Sequence, residues 1–256
     1  KPVFVDVKDD FNIDEDKIVE KINSRTKAIM PVHWTGRLCN MTKIESIAKK
    51  YNLKIVEDAA QAMGSYYKKK HAGSFSEVAA FSTHPLKNLN ALGDGGFVTT
   101  NNKKIYEKIK LLRNHGIKKR DYVETYGVNS RLDVLNAEIL KMRLKKLKVI
   151  NNKRRYNVDI YRKNLRKLNK SIFIPDDKKE EVNSYVMFLA QYRNRDRLQK
   201  YLTAHKIQSL IYYGTPLHLH PATKGLGFKK GSLPMAEKLA KNVLALPHHQ
   251  NLTKKQ

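Results

Sequence analysis

The chain has 256 residues, enough for one large core or two modest ones, and carries 51 Lys and Arg against 24 Asp and Glu, a formal net charge of +27. A single cysteine, Cys39, excludes an internal disulfide framework and fits a reducing, cytoplasmic setting. No apolar run reaches the roughly 18 residues of a membrane span, and the first residues are too polar for a signal peptide.

From the amino end, Pro2–Val7 reads as a strand, Asp14–Asn23 as a helix and Ala28–Val32 as a second strand. A helix follows from about Thr42, where Thr42 and Glu45 have capping-box spacing. Lys54–Glu57 reads as a short buried strand with Asp58 at its carboxyl end. A turn-rich stretch then leads to strands Val78–Ser82 and Phe97–Thr100. Strands alternating with helices predict an α/β fold, a mostly parallel sheet with helices on both faces. A long helix from Asp133 towards Leu168 bridges to a smaller α+β region. That region holds a strand at Ser184–Arg193, a helix at Asp196–His205 and a last helix at Pro234–Leu244. The division falls near residue 150, giving a large domain over 1–150 and a small one over 151–256.

The basic residues are spread along the chain and are densest from Lys141 to Lys170. There Ile139, Leu140, Leu144, Leu147 and Ile150 recur at three- and four-residue steps, which leaves the lysines on the solvated face of a helix. Aromatic residues do not interleave with that charge, so a nucleic-acid-binding module is the weaker reading. Steering of an anionic substrate is the alternative use of such a field.

Two short stretches carry chemistry. Residues 81–96 read F-S-T-H-P-L-K-N-L-N-A-L-G-D-G-G, with Lys87 after a strand and before Gly93, Gly95 and Gly96, which permit a sharp reversal. A lysine in a tight, partly desolvated turn loses its proton readily and forms a Schiff base with a carbonyl; a solvated loop lysine is the bland reading. Ser82 offers a hydroxyl to a phosphate. Asp58 sits where ligands gather in open α/β sheets, and a carboxylate there can keep a pyridine nitrogen protonated. Its bland reading is a helix cap. Gln61 is placed to donate to a neighbouring ring oxygen.

His218, His220, His248 and His249 raise the question of a metal. Pro216, Pro221 and Pro247 place them on loops, and no cysteine or carboxylate stands at ligand spacing, so no metal site is expected. His33 ends a strand, either facing a ligand or closing the strand end. Arg131 is either a bidentate phosphate ligand or a structural residue at the head of the long helix.

The motifs E-D-A-A-Q-A-x-G at 57–64 and F-S-x-H-P-x-K-N-L-x-x-x-G-D-G-G at 81–96 resemble those of the DegT-like (DegT/StrS-type) sugar aminotransferases. Further matches are K-P-V-F-V-D-V at the start, T-K-A-I-M-P-V-H-W-T-G at 26–36, L-R-N-H-G at 112–116 and G-V-N-S-R-L-D-V-L-N-A-E-I-L at 127–140. I-Y-Y-G-T-P-L-H-L-H-P at 211–221 and L-A-L-P-H-H at 244–249 extend the likeness over nearly the whole chain. The resemblance implies a fold-type I enzyme that uses pyridoxal 5'-phosphate to aminate nucleotide-linked keto-sugars for amino-sugar biosynthesis, with glutamate or another amino acid as donor. It makes Lys87 the Schiff-base lysine and proton shuttle, Asp58 the partner of the pyridine nitrogen, Gln61 a contact to the phenolic oxygen and Ser82 a phosphate ligand. It brings Asn129 to that phosphate from a neighbouring subunit, hence a homodimer with shared sites. Tyr213 and His218 fall in a segment expected to touch the sugar, and His33, His84 and Arg131 are further substrate-side candidates. Related dehydratases carry histidine in place of the lysine, so Lys87 favours transamination. Full-length relatives begin with a further segment and extend beyond the end of this chain, so part of the phosphate cup is expected outside these residues. A non-catalytic, regulatory member of the same family is the alternative.

Overall fold

The structure, a computed structural model, describes residues 1–168 and 172–253. Its main sheet is built from β1 (Ala28–Ile29), β2 (Lys54–Asp58), β5 (Val78–Ser82) and β6 (Gly96–Thr99), with β3 (Tyr66–Tyr67) and β4 (Lys70–His71) forming a hairpin between β2 and β5. The four main strands lie in the order β1-β2-β5-β6. β1, β2 and β5 are parallel, and β6 returns antiparallel along β5. The expected α/β class therefore holds, with one antiparallel edge. In β2, Ile55 and Glu57 turn into the protein; in β5, Ala79 and Phe81 do the same, the alternation that one covered face imposes.

Helix α1 (Met41–Lys50) joins β1 to β2 and buries Met41, Ile44, Ile47 and Ala48 on the sheet. Its cap is Asn40, whose side chain accepts from Lys43 N, in place of the Thr42–Glu45 box. Lys49 and Lys50 occupy the last turn, where cations suit the helix dipole.

Two expectations near the amino end fail for identifiable reasons. Pro2–Val7 is not a strand and contributes only an antiparallel bridge from Val7 to Ile13. Its buried Asp6 instead accepts from Met235 N at 3.0 Å and Ala236 N at 2.9 Å, capping the distant helix α6 (Pro234–Asn242). Asp14–Asn23 forms two 3-10 turns, Glu15–Lys17 and Val19–Lys21. Glu15 turns inward there to pair with Lys8 at 2.7 Å and to accept from Asn40 N.

After β6 comes a helix that the sequence reading passed over, α2 (Lys103–Leu112), capped by Asn102. An exposed hairpin arm follows, β7 (Ile117–Lys119) and β8 (Tyr122–Val123). The single long helix expected from Asp133 is two, α3 (Val134–Leu144) and α4 (Leu147–Leu168), broken at Lys145 and Lys146. Lys170, the end of the basic stretch, lies outside the described residues.

The carboxyl region forms an antiparallel sheet of β9 (Ile172–Phe173), β11 (Phe188–Tyr192) and β12 (Val243–Leu246) in the order β12-β11-β9. Helix α5 (Arg195–Ala204) and α6 pack beside it. The last helix stops at Asn242, and Val243 and Leu244 enter β12 because their side chains fill the cores on either side of β11. β10 (Glu181–Val182) leaves this region and pairs with β3. Residue 150 lies inside α4, whose Leu147 packs with Leu89 and Leu140 while Val158 packs with Phe188 and Leu244. We propose that α4 is the joint between the parts 1–150 and 151–256. A second joint is the buried Arg37, which donates to Glu181 at 2.5 Å, to Asp177 at 2.9 Å and to the Asp176 carbonyl at 2.9 Å.

Candidate active site

Asp58 and Ser82 end the adjacent parallel strands β2 and β5, so both stand on the carboxyl edge of the sheet. Backbone bonds hold that edge: Asp58 N donates to Pro31 O at 2.9 Å, His33 N to Asp58 O at 3.0 Å and Ala59 N to Ala80 O at 2.9 Å. Asp58 Oδ1 accepts from Ala60 N at 3.1 Å, which fixes the carboxylate in a local turn. Gln61 Oε1 accepts from Thr35 N at 2.8 Å, which commits the carbonyl end and leaves the amide nitrogen to donate.

The Lys87 turn is fastened at both ends. Ser82 Oγ accepts from His84 N at 3.2 Å, His84 Nδ1 accepts from Leu86 N at 3.1 Å, and Lys87 N donates to His84 O at 2.8 Å. Beyond it, buried Asn88 donates to Asn151 Oδ1 at 2.7 Å and to Ser184 O at 2.8 Å. The Lys87 amine is half-buried. Burial lowers its pKa from the usual 10.5, while the Coulombic pull of Asp58 acts in the opposite direction. Lys87 and Asp58 thus sense each other across the site.

The glycines play a different part from the one expected. Gly96 does not reverse the chain in a left-handed conformation; a Cβ there would stand 2.5 Å from Phe81 O, so the residue lets β6 lie close on β5. Gly36 is one position that does need the left-handed region, with φ +92° and a would-be Cβ 2.3 Å from Ser184 Oγ.

Not every candidate joins this cluster. His33 is wholly buried, with Nε2 2.9 Å from Glu57 Oε2 and Nδ1 accepting from Cys39 N at 3.2 Å, so both ring nitrogens serve the core. His218 is buried too, its Nε2 3.0 Å from Glu237 Oε1. Neither has a ring face open to a sugar. Tyr213 is 60% exposed and its ring lies 5.7 Å from that of Trp34, which follows His33 at the edge of the sheet. Asn129 and Arg131 are exposed on the strand-like return from the arm, joined by a 2.9 Å bond from Arg131 Nε to Asn129 Oδ1. Arg131 also lines a groove of about 650 Å³ along β5 and β6. Among the described residues no group of three His, Cys, Asp or Glu side chains is placed to hold a metal ion. No helix there is long and apolar enough to cross a membrane.

Three supports escaped the sequence reading. Glu57 accepts from Gly73 N, Phe75 N and Ser76 Oγ as well as bonding His33, and so braces the strand end beneath Asp58. Thr35 orients Gln61, and Asn88 anchors the turn of Lys87. Their signal was adjacency: Glu57 precedes Asp58 and Asn88 follows Lys87 inside the same motifs.

The model of the DegT/DnrJ/EryC1/StrS aminotransferase family matches residues 1–256. The chain belongs to that family. It is 38% identical to the dTDP-3-amino-3,4,6-trideoxy-alpha-D-glucose transaminase of Streptomyces venezuelae, over 100% of this chain and 67% of that protein. Among solved structures it superposes on S. venezuelae DesV in complex with a ketimine intermediate, with a TM-score of 0.96 and 37% identity over 100% of this chain and 69% of that one. It is likewise similar to NtdA from Bacillus subtilis with bound cofactor PMP, with a TM-score of 0.89 and 31% identity over 99% of this chain and 59% of that one. The chain thus spans between 59% and 69% of the length of these three proteins. The likeness assigns the main sheet to the fold of sugar aminotransferases.

Proposed function

We propose that this chain acts in a cytoplasmic aminotransferase that uses pyridoxal 5'-phosphate to move an amino group from an amino acid, glutamate in the simplest case, to a nucleotide-linked keto-sugar. The observation that carries this reading is the half-buried Lys87 amine, its pKa lowered by burial, in Coulombic reach of Asp58 at the end of β2. The donor set fits the cofactor in chemistry: an amine whose pKa burial lowers, a carboxylate with one oxygen uncommitted, a free amide donor and a strand-end hydroxyl. Bound there, the cofactor supplies an electron-withdrawing ring that stabilises negative charge on the carbon it activates.

The residues divide the remaining work. Lys87 holds the carbonyl and moves a proton at Nζ, as base and then as acid. Asp58 would hold the ring nitrogen through the oxygen that Ala60 leaves free, Gln61 would donate to the phenolic oxygen, and Ser82 would donate to the phosphate. His84, with Nδ1 engaged by Leu86, keeps the turn in shape. Asn129 would reach the phosphate of a second copy, which makes a homodimer the working unit. Arg131 and the exposed ring of Tyr213 are the substrate-side candidates that remain at the surface.

Spectroscopy tests this directly. Pyridoxal phosphate added to the protein should produce a visible absorbance band that borohydride removes irreversibly, with the adduct on Lys87 by mass spectrometry. An adduct on another lysine, or no stable adduct, overturns the reading.

A further inference from the structure

Away from Lys87, a cleft of about 970 Å³ opens between the β3–β4 hairpin, the first turns of α4 and the loop before β10. That volume lies at the top of the ~300–1,000 Å³ range of small-molecule pockets, enough for a nucleotide. Lys68, Lys69, Lys148, Arg155 and Lys179 line it, against one carboxylate, Glu180. The neighbouring carboxylates are already engaged, Asp177 by Arg37 and Arg162 and Glu181 by Arg37 and Lys178. Arg155 is held in place by neutral acceptors, the Asn183 carbonyl at 3.2 Å and Asn152 Oδ1. The cleft is therefore a concave, cationic surface with little internal neutralisation.

Its backbone carries a second sign. Lys68 and Lys69 form the tip of the hairpin with φ of +48° and +64°. Such a turn favours Asn-Gly, because other L-residues adopt the left-handed region at a cost. Two lysines are kept there, and Lys68 N donates to Glu180 O at 2.9 Å, which holds the tip beside Lys179. Local strain that the surroundings enforce is a pointer to function. Behind the tip, the rings of Tyr66 and His71 lie 4.0 Å apart and tilted by 36°, an aromatic surface in the same wall.

We propose that this cleft binds a nucleoside diphosphate, with its phosphates on the lysines and Arg155 and its base on the Tyr66–His71 pair. Phosphates seek convergent cations, and bases stack on aromatic rings beside positive charge. The site is separate from the proposed cofactor site, since Lys87, Asp58, Gln61 and Ser82 do not line it. The two share a wall: Asn151 faces the cleft, donates to Met63 O at 3.0 Å and accepts from Asn88 beside Lys87.

Titration calorimetry of the whole chain with uridine 5'-diphosphate and with inorganic pyrophosphate, at one ionic strength, tests the assignment. The triple variant Lys68→Glu, Lys148→Glu, Lys179→Glu should weaken both probes by about tenfold or more, as expected for lost phosphate contacts. A control triple of equal charge, Lys229→Glu, Lys230→Glu, Lys238→Glu, should change binding by no more than about twofold, because none of the three lines the cleft and solvent screens charges that make no direct contact. Tyr66→Ala should weaken the diphosphate nucleoside by about fivefold and leave pyrophosphate unchanged, since only the base stacks. Lys87→Ala should leave both affinities intact. Equal losses in the two triples would reduce the effect to the overall charge of the chain, and loss of binding in Lys87→Ala would merge the two sites. Either result overturns the proposal, as does failure of uridine 5'-diphosphate to bind or an unaltered affinity in Tyr66→Ala.

Discussion

Asn88 and Asn151 share a buried 2.7 Å hydrogen bond that ties the turn of Lys87 to the second turn of α4, the longest helix among the described residues. The same Asn88 nitrogen donates to Ser184 O, so one amide holds three segments together. Asn88→Ala should leave two buried acceptors without a donor and cost about 2–4 kcal/mol, read as a lower urea midpoint. Affinity for pyridoxal phosphate should fall with it, because the turn loses its anchor. A midpoint within about 0.5 kcal/mol of the parent would show that water takes over both bonds.

The lowered pKa of Lys87 has a sign that can be read in stability. The folded value lies below the unfolded 10.5, so the unfolded chain binds more protons between the two. The penalty for burying the charged amine is fully present below the folded pKa and disappears as pH rises towards 10.5. Lys87→Met, which does not titrate, should be more stable than the parent at neutral pH, and the gap should close as pH approaches 10.5. Urea midpoints across that range test this; a gap independent of pH refutes it.

Glu57 titrates at the other end. Burial alone would raise its pKa, but hydrogen bonds from His33, Ser76 and Gly73 win and hold it below 4.5. Its contribution is present above 4.5 and is lost as pH falls through the lower folded value. Glu57→Gln, which breaks a buried pair and a set of donors, should cost about 3–5 kcal/mol at neutral pH. The loss should shrink in acid, where the parent's carboxylate is protonated as well. Equal losses at neutral and acid pH would mean that shape, not charge, is what Glu57 supplies.

Shared sites predict complementation. Lys87→Ala and Asn129→Ala subunits should each be inactive alone. Mixed with proven subunit exchange, they should regain activity, because one site of each hybrid dimer receives both intact residues. Mixtures as inactive as their parents would place Asn129 outside the partner's site.

What could be read from the chain in advance followed from local pattern. β2 and β5 are short, largely apolar runs flanked by turn-rich stretches, and their boundaries were legible to within a residue. Asp58 ends β2 and Lys87 lies in the turn after β5, each inside a dense motif, so the order of the strands already put the two on one edge of the sheet. The misreadings share a cause in distant partners. Val3 and Val5 alternate like a strand, yet Asp6 is drawn to the start of α6, 229 residues away. Leu244 continues a helical pattern, but pairing with Ala190 in β11 takes it into a strand. His33 could either face a ligand or close the strand end, and Glu57, 24 residues on, takes its ring into the core. Polar side chains announce that they need a partner; only the fold says which one.

Arg37 sets an order on synthesis. Its guanidinium is buried in the finished protein, and its carboxylate partners lie 140 and 144 residues later, at Asp177 and Glu181. While a ribosome is still making the segment between them, this cation has no counter-charge, and sealing it inside would be strongly unfavourable. The first core must therefore stay open on that side until the later loop emerges. Such long-range closure slows folding and prolongs the exposure of apolar surface while the later loop is awaited.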